Sequence, residues 1–279
     1  MRDVQSEADY RNMPIDRVGV CGISWPISVP DKRDEIQDTV AEVSLSVSLP
    51  QDYRGTHMSR FIEVLSERER NITARNMEGL LVTLKERLRA RDAHATFEFP
   101  YFVTKRAPVS GLEGRVRCDV RFDAALLGSD FDLILTVITP IQTLCPCSKE
   151  ISDFGAHNQR AHAEISVRLS GFVWLEEFIE IADECASAPV YSLLKREDEK
   201  YVTELAYTNP RFVEDAVREL ALAMEDDDRV RWYRVSVTSH ESIHNHDAFA
   251  VIERDKYDNM GGFSPKFDEI GTSRDIEGD

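Results

Sequence analysis

Two short segments of this chain carry side chains able to do metal chemistry. One is Cys145-Pro146-Cys147-Ser148, with His157 twelve positions after Cys145; the other, near the C-terminus, runs His240-Glu241-Ser242-Ile243-His244-Asn245-His246. Thiolate, imidazole and carboxylate together suit a borderline-soft divalent cation such as zinc or iron. A set that lacks a fourth tight protein ligand leaves a position for water, which separates catalysis from scaffolding. His57, His157, His162, His240, His244 and His246 all fall in or beside polar motifs, and only His94 lies outside them. Any one histidine reads equally well as the cap of a loop or a strand end; the grouping is what points to a shared site.

Regular elements must hold these segments. Strict alternation in Val43-Ser44-Leu45-Ser46-Val47-Ser48-Leu49 predicts a strand with one apolar face and a row of serines on the other. Met58, Phe61, Ile62 and Leu65, then Met77, Leu80, Leu81, Leu84 and Leu88, recur at helical spacing. With extended runs at Val18 to Val29, Thr96 to Val103 and Arg115 to Phe122, the first half reads strand-strand-helix-helix-strand-strand. The second half repeats the order without a residue-level repeat. Leu133 to Ile138, Ala163 to Leu169, Arg231 to Thr238 and Ala248 to Ile252 read as strands. Leu175, Phe178, Ile179, Ala182 and Cys185 trace one helix, and Asn209-Pro210 predicts the cap and first-turn proline of another, with Phe212, Val213, Ala216, Val217, Leu220 and Met224 on its stripe. The boundary between halves falls near Gly128-Ser129-Asp130, and residues from about Asp255 onward are polar and without periodicity, a mobile tail. Such a unit leaves sheet edges that must be paired or covered, which oligomerisation can do.

Length and composition bound the class. The chain has 279 residues with 42% apolar content, enough for a real core in one large domain or two ordinary ones. No stretch approaches the roughly 20 apolar residues of a membrane span, and the polar start lacks the regions of a secretory signal. The expectation is a soluble protein of the cytoplasm. Cys145 and Cys147 sit too close for a relaxed disulfide, so reduced thiols are expected, and Cys21, Cys118 and Cys185 read as small core residues. A net charge of −17 argues against nucleic-acid binding, which needs a basic footprint. An anionic ligand would then need locally basic surroundings, for which Arg54, Arg60, Lys149, Arg160, Lys195, Arg196 and Lys200 are placed beside the polar motifs.

With these motifs in hand the chain resembles GTP cyclohydrolase I of the B type, in the tunnelling-fold superfamily, over nearly its whole length. The resemblance is carried by Gly55 to Phe61, Thr139 to Ala161, Leu194 to Glu204, Phe212 to Asp215 and His240 to Ala248. It implies an α+β fold of two tandem tunnelling-fold units, residues 1–128 and 129–254, each ββααββ with helices on one face of an antiparallel sheet. They would close into barrels in a homotetramer with active sites between subunits, and 255–279 would form the tail. It also implies the reaction of GTP with water to give 7,8-dihydroneopterin triphosphate and formate, the entry step to tetrahydrofolate. By residue-by-residue transfer, Cys145, His157 and Glu199 are the ligands of one divalent ion per site, with zinc, manganese and iron all open. Cys145, Glu241, His244 and His246 are catalytic, and Glu214 anchors guanine. Thr56, His57, Ser59 and Arg60 are candidate triphosphate contacts, possible across a subunit interface.

Chemistry agrees with these roles. Opening the imidazole ring of GTP needs a nucleophile at C8, and a divalent metal lowers the pKa of water to about 7. N7 must gain a proton as C8 is attacked, a task for a histidine near neutrality, His244 first and His246 second. Guanine offers N1–H and a 2-amino group side by side, so one carboxylate accepts both. Cys147 could ligate, attack or support. Two readings compete: a tunnelling-fold nitrile reductase, with a nucleophilic cysteine and a nicotinamide in place of the metal, and a non-catalytic oligomer with a closed structural zinc site. Structural sites favour two closely spaced ligand pairs, unlike this spacing. A cyclic-phosphate variant of the product also stays open.

Overall fold

The computed structural model describes residues 9–67 and 73–257. In chain order the elements are β1 (Ile15–Asp31), β2 (Glu35–Leu49), α1 (Met58–Ser66), α2 (Ala74–Leu88), β3 (Asp92–Arg106) and β4 (Glu113–Leu127). There follow β5 (Asp130–Leu144), α3 (Pro146–Ile151), β6 (Asn158–Leu169), α4 (Leu175–Cys185), β7 (Ala188–Pro189), α5 (Arg196–Thr208), α6 (Val213–Asp226), β8 (Val230–Ser239) and β9 (Ala248–Asp255). One antiparallel sheet runs β1-β2-β3-β4-β5-β6-β8-β9, and short β7 pairs with β5. The strand-strand-helix-helix-strand-strand order is present in both halves, with α3, β7 and α5 added to the second.

The pleat sorts side chains between two faces. Val43, Leu45, Val47 and Leu49 are buried beneath the helices, while Ser44, Ser46 and Ser48 lie half-buried on the open face. Phe61, Leu65, Leu81 and Leu84 from α1 and α2, and Phe178, Ile179, Ala216 and Leu220 from α4 and α6, fill one continuous core across both halves. Each of the leucine, isoleucine and phenylalanine side chains contributes about 1.5–3 kcal/mol by leaving water. A polar knot inside that core ties the halves. Buried Tyr101 on β3 places its hydroxyl 2.8 Å from Glu176 on α4 and 3.0 Å from Asp31 at the end of β1, so one hydroxyl proton serves two carboxylates. Burial raises the Tyr101 hydroxyl far above its ordinary range.

The structure departs from sequence expectation at several points. Strands run longer than their apolar patterns, because ladder partners continue past polar residues; β5 spans Pro140, which sits opposite His162. Asn209-Pro210 does not open α6. Asn209 ends α5 and its side-chain amide donates to the Ala186 and Ser187 carbonyls, and α6 begins at Val213. The charge-rich run from 195 is helix α5, whose buried face is only Asp198, Val202 and Ala206, too narrow a stripe to announce itself. Cys118 and Cys185 are buried, and burial pushes their thiols up to about 11 and about 12. Cys21, expected in the core, is exposed where β1 slips register against β2, beside Gly22 at φ 69°. Of the expected mobile tail only 255–257 are described. Lys256 there donates to the Met224, Glu225 and Asp227 carbonyls and so caps the end of α6; 258–279 lie outside the described residues.

His94, the histidine set apart by the sequence, lies on the open face of β3. It lines a cavity of about 520 Å³ with Arg17, Ser48, Arg91 and Asp92, and its Nδ1 is buried without a partner. Burial, with Arg17 adding to it, lowers its pKa to about 4. The unfolded chain therefore takes up a proton near 6.5 that the folded chain refuses until about 4. Unfolding midpoints should fall as pH drops through that window and level off below it; His94→Gln should flatten the dependence in urea titrations, and an unchanged slope would remove His94 as its source.

Candidate active site

The ends of β5, β6 and β8 meet at one end of the sheet. Leu144 pairs with Asn158, Ala161 with Ser239 and Ser239 with Ala248. The ladder runs one step further, where the Cys145 N–H donates to the His157 carbonyl at 3.1 Å. That bond sets the first two candidate ligands on neighbouring strand ends. Cys145 is the N-cap of α3, and its sulfur accepts the Ser148 N–H at 3.4 Å. The Ser148 hydroxyl in turn accepts the His157 N–H at 3.2 Å.

From His157 the network passes to Glu241. His157 Nδ1 lies 2.9 Å from Gln159 Oε1, so Nδ1 carries the proton and Nε2 is left with its lone pair for a metal. Gln159 Nε2 donates to Glu241 Oε1 at 3.3 Å, and the Ser239 hydroxyl donates to the same oxygen at 3.1 Å. Ser239 is itself buried against Thr143 of β5. The Gln159 and Ser239 bonds both go to Glu241 Oε1, and they fix the carboxylate in place. Ser242 Oγ reaches His157 Nδ1 at 3.4 Å. His244 and His246 are exposed in the same loop with rings stacked 5.1 Å apart. Gln159 and Ser242 lie inside the motif segments and Ser239 just before one, but none was singled out from sequence, because uncharged side chains with no spacing signature become partners only through register.

The remaining candidates are placed as follows. Glu199 is exposed on α5, on the stripe of Val202 and Ala206, which pack against Leu144 next to Cys145. Its neighbour Asp198 is fully buried instead. Burial raises its carboxyl, but the Ser110 hydroxyl and the Ser110, Lys195 and Val109 N–H groups outweigh that and hold it below the usual range. Glu214 is exposed in the first turn of α6, and the link before it is tied in by Arg211 N–H donating to the Leu144 carbonyl at 3.1 Å. Cys147 is exposed one residue into α3 from Pro146. Lys149 points to α5, donating to the Tyr207 carbonyl at 2.6 Å and lying over its ring.

Thr56, His57, Ser59 and Arg60 are not brought to this site. They follow β2, whose end Leu49 pairs with Ile15 at the sheet end marked by Asp92, Leu127 and Asp130. The 15 residues of β5 separate the two ends, roughly 45 Å at about 3.3 Å per residue. Thr56 is buried, His57 caps α1 in extended conformation, Ser59 is exposed, and Arg60 donates to the Arg87 carbonyl.

Cys145 and His157 fit a borderline-soft cation by donor type and by the lone pair that the Gln159 contact leaves at His157 Nε2. Among the described residues no three His, Cys, Asp or Glu side chains converge as a metal cluster within the chain. Glu199 would have to swing inward from its exposed position to complete a set.

The family model described as type I GTP cyclohydrolase folE2 matches residues 1–250. The chain belongs to this family. GTP cyclohydrolase FolE2 of Kosmotoga olearia is 52% identical over 256 residues, covering 92% of this chain and 99% of the relative. That of Geobacter sulfurreducens is 50% identical over the same length, with the same coverage. Among solved structures, a hyperthermostable mutant of Bacillus sp. TB-90 urate oxidase superposes with a TM-score of 0.52 at 10% identity, over 88% of this chain and 99% of that one. A highly active mutant of the same oxidase gives 0.51 at 10% identity, over 87% and 100%. At such identities the likeness is one of fold, and this FolE2 family member has the α+β tunnelling fold.

Gln159 holds both His157 and Glu241. Gln159→Ala should weaken zinc binding by about 10- to 100-fold, as loss of an outer-shell partner does, measured by competition with a chromophoric chelator; unchanged affinity would separate Gln159 from the metal.

Proposed function

We propose that this chain is a GTP cyclohydrolase that converts GTP and water to 7,8-dihydroneopterin triphosphate and formate, the first step towards tetrahydrofolate. The observation that carries the reading is the hydrogen-bonded junction Cys145–His157–Gln159–Glu241 at one sheet end of a FolE2 family member. Cys145 and His157, with Glu199, would hold one divalent ion, whose Lewis acidity makes water a nucleophile near neutral pH. Zinc, manganese and iron all suit this donor set.

The chain's own groups bind and move protons. Glu214, at the start of α6 beside the Leu144 carbonyl, accepts N1–H and the 2-amino group of guanine. Glu241 is fixed through Oε1 and takes or gives a proton through Oε2. His244 protonates N7 as C8 is attacked, with His246 stacked on it as the second proton carrier. Cys145 contributes to catalysis through the ion it holds.

Thr56, His57, Ser59 and Arg60 meet the triphosphate only if they come from a second subunit, given the length of β5 between the two ends. Homo-oligomerisation fits two further observations. Strands β1 and β9 end the sheet without a further strand partner among the described residues, and Ile36, Val40, Phe102, Phe249 and Val251 are exposed. We read the chain as two tandem units, 1–128 and 129–254, assembled as a homotetramer that closes barrels. No helix among the described residues is long and apolar enough to cross a membrane, and free cysteines at 21, 118, 145, 147 and 185 suit the cytoplasm.

The deciding experiment is anaerobic turnover of GTP by metal-stripped protein with and without manganese, zinc or ferrous iron, following formate and the fluorescence of the oxidised pterin. Release of both that depends on metal and is lost in Cys145→Ala supports the reading; no product with any metal, while zinc still raises the melting temperature, would favour a structural site. Glu214→Gln should weaken GTP binding by about tenfold or more, since the fork then faces an amide donor, and unchanged affinity would end its role as guanine anchor.

A further inference from the structure

Behind the junction just described, on the open face of the same sheet end, lies a second polar chain that the proposed reaction does not use. His162 on β6 and His240 at the end of β8 lie edge to face, with His162 Nδ1 3.1 Å from His240 Nε2. His240 Nδ1 lies 3.0 Å from Asp247 Oδ2. Residues 240 and 247 are the first and last of the eight-residue loop between β8 and β9, the loop that carries Glu241, His244 and His246.

A carboxylate only accepts, so His240 Nδ1 donates to Asp247. That leaves His240 Nε2 to share one proton with His162 Nδ1 across 3.1 Å. Burial, with His240 and Arg160 adding to it against Asp119, lowers the His162 pKa. The three side chains thus form one continuous hydrogen-bonded chain from His162 through His240 to Asp247.

The two arms of the loop are held unequally. The first arm is anchored at His240 N–H to the Arg160 carbonyl, at Glu241 to Ser239 and Gln159, and at Ser242 to His157. Among the described residues, the second arm, 243–247, has a single side-chain tie, Asp247 to His240. Without it, nothing but the backbone pair Ser239–Ala248 sets where His244 and His246 stand.

We infer that Asp247, His240 and His162 form a clasp that closes the 240–247 loop on itself, anchors it to β6, and so positions His244 against the substrate. The three are positioning residues: they face away from Cys145 and His157 and act through the loop. This inference rests on the proposed catalytic roles of Glu241 and His244. Breaking the clasp releases the second arm while leaving the metal ligands and the guanine anchor in place, so it acts on the chemical step rather than on binding.

The test uses the full-length protein and four variants. His162→Ala and Asp247→Ala remove the two ends of the chain. His162→Asn puts an amide, able to donate or to accept, where Nδ1 stood, and Asp247→Asn keeps an oxygen acceptor. Hydrogen–deuterium exchange, read without substrate, should rise across 240–247 in both alanine variants and stay near wild type in both asparagine variants, with melting temperatures little changed. Kinetics should show kcat lowered by about 10- to 100-fold in the alanine variants, as misplacement by an ångström does, with KM for GTP and zinc content held and activity largely kept in the asparagine variants. Unchanged exchange across the loop, or asparagine variants as impaired as alanine ones, would overturn the clasp. Wild-type protein that turns over no GTP while showing the expected exchange pattern would uphold the clasp and remove the proposed function instead.

Discussion

The site depends on one backbone hydrogen bond, Cys145 N–H to the His157 carbonyl, which prolongs the β5–β6 ladder by a step beyond Leu144 and Asn158. Twelve residues separate the two in sequence, and the strand register removes that separation. Everything near it takes its position from the same register. Thr143 meets Ser239 because β5 and β8 both flank β6, Ser239 holds Glu241, and Gln159 spans the gap between Glu241 and His157. A slip of one residue in β6 would turn His157 and Gln159 to the open face and exchange them for Asn158 and Arg160.

The pleat also explains why two polar networks coexist a few residues apart. His157, Gln159 and Glu241 fall on the helix face, whereas His162, His240 and Asp247 fall on the open face, so adjacent residues His240 and Glu241 serve different networks. The loop between β8 and β9 straddles the sheet end and is held from both sides. Around it the helices add reach rather than support. Arg211 and Val202 bring α6 and α5 against Leu144, which is how Glu214 and Glu199 come to stand near a site built by strands.

Charge is arranged against the global balance. A chain of net charge −17 repels an anionic substrate, and cations are already engaged at both sheet ends: Lys149 by the Tyr207 carbonyl and Lys200 by Glu204 on the side of Cys145, and Arg60 by the Arg87 carbonyl at the far end. Buried acids are treated differently according to their donors. Asp198 has four hydrogen bonds from its surroundings and stays ionised, while Glu176 shares the Tyr101 proton with Asp31 and leaves Oε2 buried without a partner. Both acids join parts of the chain far apart in sequence.

The sequence by itself determined the family, the shared ββααββ order of the two halves and the two motif segments, because alternation, helical spacing and the Cys-Pro-Cys and His-rich motifs are local properties of the chain. It announced α1, α2, α4 and α6 by their apolar stripes and missed α5, whose inward face includes a carboxylate, Asp198, that takes three of its four hydrogen bonds from the distant 109–110 turn. It misplaced Cys21, because a bulge reverses the facing of a residue without altering its neighbours, and it read Asn209-Pro210 as a beginning when Asn209 closes the preceding helix. Only the tertiary structure decided which motif residues meet. Register joined His157 to Glu241 through Gln159, turned His162 away from them towards His240 and Asp247, and set Thr56 to Arg60 at the far end of the sheet. These are relations between strands, fixed by hydrogen bonds across the ladder, and no single strand encodes them.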